Sequence, residues 1–161
     1  MIQDKEYGPI LICDTREKNP LIIPDNRVFA EVIREKLDTG DYSIKGLEDY
    51  LCIERKGAVS EFATNVFQAR FDRELQRMVN YKYAFILLEF NIEDLLKFPY
   101  GSGLPKYAVK KIHYNGKLLL KKLTEFQCKY PNIHFMFCGD NIMDILYSIC
   151  KRVIEIEFDK K

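Results

Sequence analysis

The sequence carries almost no net charge: 25 Lys and Arg stand against 24 Asp and Glu, leaving +1 over 161 residues. That excludes a global cationic field that would hold nucleic acid at long range, so any surface for a polyanion must be local. Histidine is scarce too. His113 and His134 are the only two, too few and too far apart in sequence to suggest a histidine-based catalytic system. The five cysteines, Cys13, Cys52, Cys128, Cys138 and Cys150, are odd in number and contain no Cys-x-x-Cys pair. They fit reduced core residues in a cytoplasmic setting rather than disulfides or a zinc site. No apolar run approaches the roughly 20 residues of a membrane helix. Residues 1–6 lack the basic and apolar regions of a signal peptide. A soluble, intracellular chain without a membrane partner is therefore expected. Internal repeats and low-complexity segments are absent.

What the chain does have is apolar content, 47% of its residues, enough for one domain with a real core and too little length for two. A single domain over residues 1–161 is expected. Strands are read at Ile10, Val28 to Leu37, Tyr42, Tyr50, Ala84 and Ile133, and helices after Gly57, Pro105 and Asp140. The order gives an α/β sandwich with a mixed central sheet flanked by helices. Val28 to Leu37 fits helix or strand by local pattern alone. Gly57 to Tyr81 reads as one long helix whose apolar stripe includes Val59, Phe62, Val66, Phe67, Phe71, Leu75, Met78 and Val79. Asn19-Pro20, Pro24-Asp25-Asn26 and Phe98 to Pro105 read as loops, and a final helix is expected to run through Arg152.

The chain is organised around Gly40-Asp41-Tyr42 and Cys52-Ile53-Glu54-Arg55-Lys56, the arms of an expected hairpin. Alternation on a strand puts Glu54 and Lys56 on one face and Ile53 and Arg55 on the other. Two carboxylates and one ammonium thus converge. Two hard oxygen ligands suit Mg2+, which keeps waters for a substrate phosphate, while the lysine orients the nucleophilic water or neutralises charge on phosphorus. As a bare pattern this Asp…Glu-x-Lys spacing recurs by chance, and an ordinary solvated hairpin edge would look the same.

Further blocks surround it: Asp14-Thr15-Arg16-Glu17 at the end of an apolar run, then Gly40-Asp41-Tyr42-Ser43, Ile53-Glu54-Arg55-Lys56, and Arg70-Phe71-Asp72-Arg73-Glu74-Leu75. In order and spacing they resemble the XPF-family (ERCC4-type) nuclease domain, most closely its small stand-alone phage and bacterial members. The resemblance implies a restriction-endonuclease-like fold and favours a strand for Val28 to Leu37. It implies a Mg2+-dependent DNA endonuclease, with Mn2+ as a substitute, cutting branched DNA such as flaps, forks and four-way junctions in repair, recombination or phage DNA processing. Asp14, Asp41 and Glu54 would hold the metal, with Lys56 acting beside it. Arg16, Glu17, Arg55 and Glu61 would support the site. Glu61 is the fifth residue after Lys56, where the family carries an acid at the fourth, here Ser60. Arg70 falls near a family Gly-Arg position, with Ala69 in place of the glycine. Arg70, Arg73, Lys106, Lys110 and Lys111 are expected to contact DNA, the lysines belonging to a basic group between Lys106 and Tyr130 that Asn115-Gly116 interrupts.

Family members often carry a helix-hairpin-helix domain, for which this chain has no room. A homodimer or partner protein is then expected to supply any preference for branched DNA. The alternatives are a non-catalytic DNA-binding or scaffold module on the same fold and a restriction-type duplex nuclease.

Overall fold

Six strands form one mixed sheet. The computed structural model describes residues 8–23 and 29–158, with β1 (Ile10–Asp14), β2 (Glu31–Glu35), β3 (Tyr42–Ile44), β4 (Leu51–Lys56), β5 (Tyr83–Leu88) and β6 (Ile133–Phe137) in the order β2-β1-β3-β4-β5-β6. β1 pairs parallel with β2 and antiparallel with β3. β3 and β4 form the expected hairpin, and β5 and β6 continue parallel to β4. The apolar runs of β1 and β5 lie inside the sheet, sealed on both faces, as such continuous runs require. β2 is an edge whose Glu31, Arg34 and Glu35 keep it from pairing further. Its strand is real but shorter than expected, and Val28, like Pro24-Asp25-Asn26, lies outside the described residues.

The helices are α1 (Val59–Asn65), α2 (Ala69–Met78), α3 (Ile92–Lys97), α4 (Lys106–Val109), α5 (Gly116–Lys129) and α6 (Ile142–Phe158). On one face of the sheet, Cys52, Ala84, Ile86 and Leu88 pack with Phe62, Phe71, Leu75, Leu119 and Phe126 of α1, α2 and α5. On the other, Leu11, Ile53 and Leu87 pack under Leu146, Cys150 and Val153 of α6. Four of the five cysteines are buried and free, and Cys128 is exposed. Among the described residues, no helix is long and apolar enough to cross a membrane.

The long helix expected from Gly57 to Tyr81 is two helices. At about 100° per residue, Val59, Phe62, Ala63 and Val66 share one side. On the same wheel, Phe71, Leu75 and Met78 share a side turned by about 130° from the first. No straight helix buries both. The chain breaks at extended Gln68 (φ −94°, ψ 134°), leaving Phe67 and Val79 exposed rather than in the core stripe. The basic segment is also divided. Asn115 accepts the N–H of Leu118 at 3.1 Å and starts α5. A Cβ at Gly116 would lie 2.3 Å from the Leu95 carbonyl oxygen, so only glycine lets α5 approach α3 this closely. Leu118, an apolar residue next to buried Leu119, is exposed. The last helix runs past Arg152 to Phe158.

Candidate active site

Where the β3–β4 hairpin meets α1 and α2, a cleft of about 580 Å³ opens. Gly40, at φ +86°, makes the turn into it; a Cβ there would meet Cys52 Sγ at 2.7 Å and the Ile53 carbonyl oxygen at 3.0 Å. The next residue is thereby pressed against β4. The Asp41 N–H donates to the Ile53 carbonyl at 2.8 Å, and Asp41 Oδ2 accepts the backbone N–H of Arg55 at 2.8 Å. Glu54, between those two positions, projects to the α1–α2 side together with Lys56, whose Nζ donates to Glu54 Oε1 at 2.8 Å and to Asn65 Oδ1 at 3.0 Å. The ammonium also sits 5.3 Å from the centre of the Phe71 ring. The alternation read from the sequence thus holds in three dimensions.

Burial dominates the electrostatics. It pushes the Asp41 carboxyl up to about 6, against the Arg55 N–H. For Glu54 burial comes first and the charge of Asp41 second; together they hold it well above the ordinary carboxyl range. Burial alone would depress Lys56, but the carboxylates of Glu54 and Glu74 outweigh it and keep the ammonium above its usual value. A carboxylate pair reluctant to ionise, beside a cation held in its charged form, is the kind of perturbed cluster that functional sites gather.

Asp14 lines the same cleft, but its carboxylate is already occupied. It accepts the Arg16 N–H at 3.0 Å, Arg16 Nε at 2.8 Å and the Leu37 N–H at 2.8 Å. Burial would raise this carboxyl, and those donors hold it below its ordinary value. Arg16 pairs with Asp14 rather than with Glu17, which accepts the Asn19 N–H at 2.9 Å. Glu61 also borders the cleft and caps the turn before α1, accepting the Gly57 N–H at 2.8 Å. Arg55 leaves β4 on the other side from Glu54 and Lys56 yet also lines the cleft, where Nε donates to Glu89 at 2.8 Å and one terminal nitrogen to the carbonyl of Asn19, another lining residue, at 2.6 Å.

Of the arginines and lysines expected at DNA, Arg70 lines the cleft and makes no hydrogen bond or ion pair among the described residues. Arg73 is exposed and outside the lining, and its neighbour Asp72 binds Lys129 and Tyr130. Lys106, Lys110 and Lys111 lie on α4 and the turn after it, outside the cleft. Lys18, Asn19, Asp38, Thr39, Asn65, Gln68, Glu74 and Arg77 also line it and were missed. For Glu74 and Arg77 a signal was in the sequence: with Arg70 they recur at helical spacing beside the buried Phe71, Leu75 and Met78.

Among the described residues, no group of three or more His, Cys, Asp or Glu is arranged to hold an ion. Asp41 and Glu54 nonetheless each keep one carboxylate oxygen without a hydrogen bond. One or two carboxylates are what Mg2+ ordinarily takes from protein, waters filling the rest.

The ERCC4 domain model matches residues 13–149. Two solved structures share the architecture. XPF from Aeropyrum pernix is 21% identical, with a TM-score of 0.65 over 94% of this chain and 67% of its own. XPF from Aeropyrum pernix in complex with DNA is 22% identical, with a TM-score of 0.61 over 93% and 67%. Both have the restriction-endonuclease-like fold, and so does this chain. No curated protein matches it.

Proposed function

Because the chain belongs to the ERCC4 domain family, we propose that it is a metal-dependent DNA endonuclease acting at the Asp41–Glu54–Lys56 cleft. The observation that carries this is the buried Lys56–Glu54 contact at 2.8 Å beside a second, half-buried carboxylate, Asp41. A surface ion pair would not be closed in this way. Asp41 and Glu54, each with a free oxygen, would hold Mg2+, or Mn2+ in its place. Bound there, the ion would supply Lewis acidity and an activated water. Asp14, the third expected ligand, would join only by giving up donors; its part in this reading is to fix Arg16 at the rim.

The protein's own groups do the rest. Lys56, held by Glu54 and Asn65, places a positive charge where negative charge gathers as the phosphodiester is attacked. Arg70 offers an unpaired guanidinium to a substrate phosphate. Glu61 shapes the cleft edge through Gly57, and Arg55 ties β4 to Glu89 and Asn19 at the cleft wall.

A DNA substrate is supported by family membership and by the DNA-bound XPF neighbour. Branched DNA, with a homodimer or a partner protein providing the second contact, is the substrate class we assign, in repair, recombination or phage DNA processing. The test is cleavage of labelled flap, fork, four-way and linear duplex DNA in Mg2+, Mn2+ and EDTA. Cutting confined to branched substrates and abolished by EDTA is expected. Cutting at fixed sites in linear duplex would replace it with a restriction-type reading, and cutting in EDTA would remove the metal.

A further inference from the structure

The chain is nearly neutral, but its charge is not evenly spread. From Leu95 through Thr124 there is no Asp or Glu, while Lys97, Lys106, Lys110, Lys111, Lys117, Lys121 and Lys122 all fall in that interval. Only Lys122 in it has an ion pair, with Glu125, among the described residues. The same interval exposes two large aromatics on its surface, Tyr100 at 74% and Tyr107 at 70%. Tyr107 lies within α4, between Lys106 and Lys110.

This surface is anchored and it leads to the cleft. Tyr114 stacks on buried Phe98, with ring planes 11° apart, closing the base of the segment. The outer side of Tyr114 meets Phe67 at 4.9 Å. Phe67 sits in the break between α1 and α2, directly before cleft-lining Gln68. A folded segment that shows tyrosine rings to water among unpaired lysines has gained nothing from that exposure in its own packing.

We infer that residues 98–114 form a platform for a single-stranded arm of the DNA substrate: Tyr100 and Tyr107 stack on unpaired bases, and Lys106, Lys110 and Lys111 hold the phosphates between them. Aromatic faces with a cationic track bind single strands without regard to sequence, because every base has a π face. Paired bases are stacked on each other and offer no such face, so the tyrosines select single-stranded DNA while the lysines serve either form. The inference deepens the nuclease reading by assigning the substrate an unpaired arm, and it rests on that reading for its link to the cleft.

The test measures binding in EDTA of a labelled oligo-dT strand and of a blunt duplex, by fluorescence anisotropy, with cleavage in Mg2+ assayed separately. The variants are Tyr100→Ala with Tyr107→Ala, the same pair changed to Phe, and Lys106, Lys110 and Lys111 all changed to Ala. The Ala pair is expected to weaken single-strand binding by about five-fold or more and leave duplex binding unchanged, while the Phe pair binds as wild type. The triple lysine variant should weaken both ligands and flatten the salt dependence. Wild type that does not bind oligo-dT, or an Ala pair that loses nothing or loses both ligands equally, overturns the platform. If the binding pattern holds while no DNA is cut, the platform stands and the nuclease reading falls.

Discussion

Asp41 is tied to Arg55 through the backbone and not through charge: Oδ2 accepts the Arg55 N–H at 2.8 Å, while the Arg55 guanidinium points away to Glu89. Two alternating strand positions therefore serve two faces. One carries Glu54 and Lys56 toward α1 and α2, and the other carries Arg55 to Glu89 and the Asn19 carbonyl at the cleft wall.

That tie predicts a stability effect. Arg55→Ala removes the Glu89 pair and the bond to the Asn19 carbonyl, and should cost about 1–3 kcal/mol. In a double-mutant cycle with Glu89→Ala, measured by urea unfolding, the two changes should show a positive coupling. Strict additivity would mean that the pair contributes nothing.

Gly40 is predicted to be irreplaceable. In Gly40→Ala the positive φ and the 2.7 Å approach to Cys52 Sγ act together, costing roughly 1–3 kcal/mol in backbone strain alone. Relief of the clash would move Asp41, so cleavage should fall further than the melting temperature accounts for. Wild-type activity in this variant would show that the turn does not position Asp41.

The acid pair should make the metal-free protein less stable as pH rises. Asp41 titrates at about 6 in the folded chain against an ordinary 3.8. Between those values the folded chain keeps a proton that the unfolded chain has released, so stability falls across that window and stays reduced above it. Asp41→Asn should therefore melt higher than wild type in EDTA at about pH 7.5, with the gain fading toward about pH 4. Adding Mg2+ should raise the wild-type melting temperature and leave the variant unmoved. Equal melting temperatures in EDTA at the higher pH would contradict the buried-carboxylate description.

Much of this was legible from the chain. Period-two alternation placed Glu54 with Lys56 and against Arg55, because a strand leaves no other choice. The positions of the strands along the chain followed from short apolar runs separated by turn residues, whereas their order in the sheet did not. The α1–α2 break was missed because Val66 and Phe71 each fit a helical stripe locally; only the turn of about 130° between the two stripes shows that they cannot share one axis. Asp14 was read as an acid delivered to the cleft, which is where it lies. Its commitment to Arg16 and Leu37 depends on a contact with a residue 23 positions away, and no local pattern carries that. Glu74 and Arg77 carry no motif of their own, and only the packing of α2 against the hairpin turns them into the cleft.

The central claim is that Lys56 acts on the phosphodiester at a metal held by Asp41 and Glu54. The most direct measurement is single-turnover cleavage of a labelled flap in Mg2+ by wild type, Asp41→Ala and Lys56→Ala, at protein concentrations that saturate binding, with folding checked by circular dichroism. Both variants are expected to bind the flap and to cut it slower by about 100-fold or more. A folded Lys56→Ala that cuts at the wild-type rate, or a wild type that binds the flap in Mg2+ and leaves it intact, would contradict the account.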